Sequence, residues 1–209
     1  TPSDLSKTAT SPAVNAPAIS TPEMRHPDTK EAIAHPASYV QQHWYELCEE
    51  IAPHNSLFGQ LIHSFRIRSE VDSSALGEAF QIICQRHDAL RTTLSKENGQ
   101  LWQLIQAEAK VDFAVLDASS WSNTTLEEQI VLFTQRAVDL ALDAMLQARL
   151  FTLASDDHIL IIKVHHLAAD GWSMWVLFDE LRSLYHALSN DLHPSLPPSE
   201  THLHFSEWY

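Results

Sequence analysis

Residues His158 to Val164 form a nearly continuous apolar run, with Ile159-Leu160-Ile161-Ile162-Lys163-Val164 at its centre. A strand of that composition is apolar on both faces, so it belongs inside a sheet covered from both sides. After a short loop the period changes from two to that of a helix. Met174, Leu177, Phe178, Leu181, Leu184, Tyr185 and Leu188 form one apolar stripe, with Ser173 as the expected N-cap. A buried strand feeding an amphipathic helix excludes both a helical bundle and a β-sandwich, and leaves an α/β or α+β domain.

The chain on either side agrees. Val40, Trp44, Leu47, Cys48 and Ile51 mark a helix from about Ser38, stopped by Pro53. Leu61 to Val71 alternates with period two, Leu61, His63, Phe65, Ile67 and Val71 facing one way. A helix is predicted from Ser74 to Ala89, then a hairpin over Leu94–Ile105 turning at Asn98-Gly99, and a short strand at Val111–Leu116. Thr125 and Glu128 have the spacing of a capping box ahead of a helix carrying Leu126, Ile130, Phe133, Ala137 and Leu140. Leu146 to Leu153 reads as a strand, and His193 to Tyr209 as a proline-broken, aromatic tail. Residues 1–36 hold six of the ten prolines among Ser, Thr and Ala and show no sustained period. They are expected to be a linker or lead-in, or else to carry a docking motif, with one lobe over residues 37–209.

A formal net charge of -14 repels phosphate backbones and anionic lipid heads, so no nucleic-acid or membrane partner is expected. No apolar run reaches the ~20 residues of a membrane span. The first residues lack the order of a secretory signal, and the chain opens on Thr1 rather than Met, so a longer natural protein is expected. Cys48 and Cys84 both fall in apolar helical patterns, which points to free buried thiols in a reducing, cytoplasmic setting and to no zinc-type pairing.

Chemistry concentrates where the apolar strand ends, at His165-His166-Leu167-Ala168-Ala169-Asp170-Gly171. Alternation puts His166 on the side of Leu160, Ile162 and Val164 and His165 on the other, so one imidazole can face a cleft while its neighbour packs inside. Three readings compete: satisfied core histidines, a metal site, or a general base at His166. Metal needs three or more convergent ligands, and the two histidines diverge with no nearby Cys or Glu to complete a set. A base at the end of a rigid strand has a defined aim and titrates near working pH. Asp170, past a short turn, is placed to fold back on a buried Arg, and Gly171 to adopt a backbone angle that other residues resist.

His165 to Ser173 resembles the HHxxxDGxS motif of nonribosomal peptide synthetase condensation domains, members of the chloramphenicol-acetyltransferase-like superfamily. Three further segments, with a fourth beside them, are similar and stand in the family's order. Ser38 to Leu47 resembles the opening SxAQxRxWxL helix, with His43 where arginine is usual. Arg86-His87-Asp88-Ala89-Leu90-Arg91-Thr92-Thr93-Leu94 resembles RHExLRTxF, with Asp88 for Glu and Leu94 for Phe. His202 to Trp208 is loosely similar to YxDFAxW, and Val138 to Arg149 to the FDLxxxPLxRxxL stretch without its Pro.

The resemblance implies one lobe of the acetyltransferase-like fold, a mixed sheet flanked by helices, with the C-terminal lobe absent from this chain. It also implies a tunnel between two lobes, entered from opposite ends by donor and acceptor peptidyl carrier proteins. Their 4'-phosphopantetheine arms would present the substrates, and no cofactor or metal would be bound directly. His166 would be the catalytic histidine, with His165 and Gly171 supporting the motif and Asp170 paired with Arg86 or Arg91. Trp172 and Trp175 are expected to pack, and Arg149 to be a surface or strand-end arginine. Two rival readings remain open: a free-standing acyltransferase of the superfamily, and a non-catalytic lobe that docks carrier proteins.

Overall fold

The computed structural model describes residues 32–52 and 54–199. The apolar run is β7 (Asp157–His165), and it lies inside a four-stranded sheet. β2 (Gln60–Ile67) and β6 (Leu146–Ala154) flank it antiparallel, and β5 (Asp112–Asp117) lies parallel to β6 at the far edge. Both faces of β7 are covered, as its composition predicts. Leu160, Ile162 and Val164 enter the main core with α2 (Ser73–Arg86) and α4 (Gly171–Leu188), where Phe80, Ile83, Met174 and Leu184 are also buried. Ile161 goes to the opposite side, with Phe151 and with Phe133 of α3 (Asn123–Gln135).

A second sheet holds the predicted hairpin. β3 (Thr92–Glu97) and β4 (Gln100–Ile105) turn through Asn98 (φ 50) and Gly99 (φ 81), two left-handed residues in succession, as a two-residue hairpin loop requires. β1 (Ile33–Pro36) pairs with the other edge of β4, Ile33 opposite Ile105. This moves the end of the expected lead-in: residues 33–36 are a packed strand. Four residues ending in proline show no period of their own, and Pro36 is tolerated at the end of an edge strand.

Helix boundaries correct several expectations. α1 (Tyr39–Ile51) starts from Ser38, whose hydroxyl accepts the Gln41 N–H at 3.2 Å while the Gln41 amide oxygen accepts the Ser38 N–H at 2.8 Å. Its expected stop, Pro53, lies outside the described residues. α2 ends at Arg86 rather than Ala89, because His87 is extended and a 3-10 turn follows over Asp88–Arg91. The N-cap of α3 is Ser122, which accepts the Thr125 N–H at 3.1 Å, so Thr125 lies within the helix. That helix ends before Ala137 and Leu140. The segments expected at 1–31 and 200–209 lie outside the described residues.

Candidate active site

β7 ends at His165, opposite Gln60 of β2, and the ladder continues by one bond: the His166 N–H donates to the Gly59 carbonyl at 2.7 Å. Gly59 has φ +74, and a Cβ there would stand 2.8 Å from His165 Nε2 and 3.3 Å from Cys48 Sγ. No other residue fits this position without strain. The sequence marks it only as a lone glycine ahead of a strand, a signal too common to single it out.

His165 is 3% exposed. Its Nδ1 accepts the Leu167 N–H at 3.2 Å, so in the neutral ring the proton sits on Nε2, which meets Cys48 Sγ at 3.8 Å. Burial, reinforced by His166 and Lys163, pushes its pKa down to about 4, because a desolvated imidazole resists charge. Burial likewise pushes the Cys48 thiol up. His165 is therefore a neutral strut between α1, the Gly59 loop and the turn after β7.

His166 differs. It is half-buried, and its ring lies on the Trp44 indole with centroids 4.6 Å apart and planes 16° from parallel. Trp44 in turn contacts Phe58 at 5.8 Å. The loop's side-chain hydrogen bonds go to His165 and Asp170, and among the described residues none reaches the His166 ring. Of the two adjacent imidazoles, one is locked and neutral and the other presents its nitrogens. An imidazole with free ring nitrogens can accept a proton from a group bound against it. Trp44, read from sequence as one residue of a helical stripe, is a neighbour of His166 that the pattern did not reveal.

Asp170 pairs with neither Arg86 nor Arg91. It is the N-cap of α4, where Oδ1 accepts the Ser173 N–H at 2.8 Å and the Ser173 hydroxyl at 2.7 Å. Those bonds hold its carboxyl below the usual carboxylate range. Ser173, expected as the cap, is the residue being capped. The arginines are engaged elsewhere. Arg86 Nε meets Glu180 Oε1 at 3.0 Å, and Arg91 pairs with Asp88 and donates to the Gln106 carbonyl. Glu180 also receives His87 Nε2 at 2.7 Å. It is 6% exposed and lies on the apolar stripe of α4, one turn past Leu177. A charged residue in that register signals a buried partner, and this is the ion pair that tethers α2 to α4. Gly171 opens α4 without a positive φ, and a Cβ there would meet nothing within 4 Å. The glycine of this site whose backbone matters is Gly59.

Trp172 and Trp175, expected to pack, are 78% and 72% exposed on the first turns of α4, beside exposed Val176. Arg149, expected at the surface or at a strand end, instead lies in the middle of β6, half-buried and 2.8 Å from Asp112 Oδ1. Lys163 is 1% exposed. Its Nζ donates to the carbonyls of Phe133 at 3.2 Å and Arg136 at 3.0 Å, at the C-terminal end of α3, and burial pushes its pKa down to about 8. Cys48 and Cys84 are free and buried. No helix of the described residues is long and apolar enough to cross a membrane.

Comparison with known proteins identifies the family and agrees with the fold. The model of the Condensation domain family matches residues 34–209. One of the linear gramicidin synthase proteins of Brevibacillus parabrevis is 30% identical over 165 residues, 77% of this chain and 2% of that protein. The isonitrile lipopeptide synthase of Mycobacterium tuberculosis is 34% identical over 124 residues, 58% of this chain and 5% of that protein. The starter condensation domain of rhizomide synthetase RzmA superposes with a TM-score of 0.75 at 17% identity, over 84% of this chain and 44% of that one. The X-domain solved with OxyB from teicoplanin biosynthesis gives 0.73 at 25% identity, over 88% and 38%. The chain thus spans less than half of these solved structures and a few per cent of the curated synthetases.

Proposed function

The chain belongs to the condensation-domain family, and from that premise we propose that it is the N-terminal half of a domain that joins a carrier-bound acyl or peptidyl thioester to the amine of a carrier-bound aminoacyl thioester. The observation that carries this reading is His166 itself. It is a half-exposed imidazole at the end of a buried strand, with its neighbour His165 neutral and locked. The acceptor amine attacks the donor thioester carbonyl, the C–N bond forms and the C–S bond breaks. The amine proton passes through the imidazole of His166 to the departing phosphopantetheine thiolate. Holding the amine in line contributes alongside proton transfer, with ~7–11 kcal/mol as the ceiling for ideal positioning. The phosphopantetheine arms belong to the donor and acceptor carriers and enter as substrate. The second lobe would supply the opposite wall of the tunnel, and the whole would work as part of a cytoplasmic synthetase.

Replacing His166 with Ala in the complete domain tests this. Product formation on loaded carriers, followed by mass spectrometry, should fall by about 10²-fold or more with the melting temperature unchanged. Wild-type turnover would reject His166 as the catalytic group.

A further inference from the structure

We propose that Trp44 is a positioning residue for His166, its indole setting the plane in which the imidazole offers its nitrogens to the reacting amine. This rests on the reading of His166 given above.

A working imidazole is commonly aimed by a carboxylate or carbonyl bound to its second nitrogen. Among the described residues nothing of that kind reaches the His166 ring. The carboxylate of its own loop, Asp170, is held by Ser173. What the ring has instead is a flat surface, the Trp44 indole at 4.6 Å and 16°. Offset stacking of aromatic rings constrains rotation about the Cβ–ring bond without occupying either nitrogen. The two edges therefore remain available for taking and returning a proton. When the ring becomes cationic, its charge lies against the electron-rich face of the indole.

The indole is itself anchored. Trp44 stands one turn before Cys48 on α1, and Cys48 meets His165. Its ring also touches Phe58, whose N–H donates to the Asn55 carbonyl at 2.9 Å in the loop between α1 and β2. The next residue in that loop, Gly59, accepts the His166 N–H. One short loop and one helix thus grip His166 twice, by its backbone and by its ring plane. A 1 Å error in such a group can cost ~10²-fold in rate, so the grip bears on turnover more than on binding.

The test uses the complete domain with loaded carriers and compares Trp44→Leu, Trp44→Phe and His166→Ala. Leucine fills apolar space without a π-plane, and phenylalanine keeps the plane. For Trp44→Leu kcat should fall by about 10- to 100-fold with KM and melting temperature little changed. Trp44→Phe should recover most of that loss. In parallel, the His166 ring-proton resonance, assigned by its absence in His166→Ala, should lose its upfield ring-current shift in Trp44→Leu and keep part of it in Trp44→Phe. Wild-type kcat in Trp44→Leu, in a domain that His166→Ala inactivates, would overturn the positioning role and leave the reading of His166 standing. Wild-type turnover in His166→Ala would overturn that reading, and the role of Trp44 with it. Should Trp44→Leu fail to fold, Trp44→Phe decides: a displaced His166 resonance with unchanged kcat overturns the proposal, and a matched partial loss of both supports it.

Discussion

His165 touches α1, the Gly59 loop and the turn leading to Asp170, so single residues around it decide whether His166 is held in place. Gly59→Ala would put a methyl group 2.8 Å from His165 Nε2 at a φ of +74. The left-handed backbone alone costs about 1–2 kcal/mol for a residue with a Cβ, and the contact adds to it. We expect a lower urea midpoint at an unchanged m-value, and reduced turnover in the complete domain. An unchanged midpoint would show that the loop relaxes freely. Asp170→Ala removes a helix cap, so it should cost about 0.5–2 kcal/mol and not the larger penalty of a broken buried ion pair. Asp170→Ser should restore most of that loss in thermal unfolding, which an ion pair would not permit. Because bonds from Ser173 lower the folded pKa of Asp170, its contribution is present above the ordinary carboxylate pKa and fades as pH falls through the lowered value. At this scale the different placement of the two histidines was legible, since alternation along a strand sends adjacent side chains to opposite sides. The partner of Asp170 was not, because a carboxylate a few residues before a helical stripe has the same spacing whether it caps the helix or reaches an arginine.

Elements were readable where their signal is local. β7 and the Asn98-Gly99 hairpin match their composition because a strand buried on both faces and a turn of two left-handed residues each demand particular residues. β1 was not readable: its reason to exist is the free edge of β4, some 70 residues away in sequence. The start of α3 was misplaced because Ser122 and Thr125 both suit a cap, and only the fold selects the earlier one. Its end is fixed by Lys163, which reaches from β7 to the carbonyls of Phe133 and Arg136. That amine titrates near 8 when folded and at ~10.4 when unfolded. Between those values the unfolded chain binds more protons, so this group makes stability rise with pH across that window. Cys84, pushed up to about 12, pulls the other way above the ordinary thiol pKa, so the total slope is not diagnostic. The comparison with Lys163→Met is, because Cys84 is common to both. From pH 8 to pH 10 the urea midpoint of the wild type should gain on that of Lys163→Met. A constant difference between the two would mean that the amine is not titrating in this range.

For the molecule as a whole, the first turns of α4 carry exposed aromatic surface that, on the proposed function, the second lobe would cover. The stripe Met174, Leu177, Leu181 and Leu184 is buried in the core, and Trp172, Trp175 and Val176 lie off it, exposed, within a few residues of Asp170 and the His166 loop. Periodicity showed which residues leave the stripe and could not show that they stand exposed among the described residues. Two indoles at 78% and 72% exposure present roughly 300 Å² of aromatic surface, within the size range of functional patches on monomers. The solved starter condensation domain is more than twice as long as the region it shares with this chain, and on the proposed function one wall of a tunnel would not hold two thioesters against His166. We therefore expect the 209-residue chain alone to show no condensation and to self-associate reversibly through this face. The net charge of -14 opposes contact between copies, and at 0.1 M salt that repulsion is screened beyond ~10 Å, so association should strengthen as salt is added. Light scattering across a salt series should show the apparent mass rising, and falling back when the second half of the domain is supplied in trans. Trp172→Ser with Trp175→Ser should suppress the rise while the far-ultraviolet circular dichroism stays the same. A chain that stays monomeric at every salt concentration would contradict the role assigned to these tryptophans, and turnover by this half alone would contradict the two-walled tunnel.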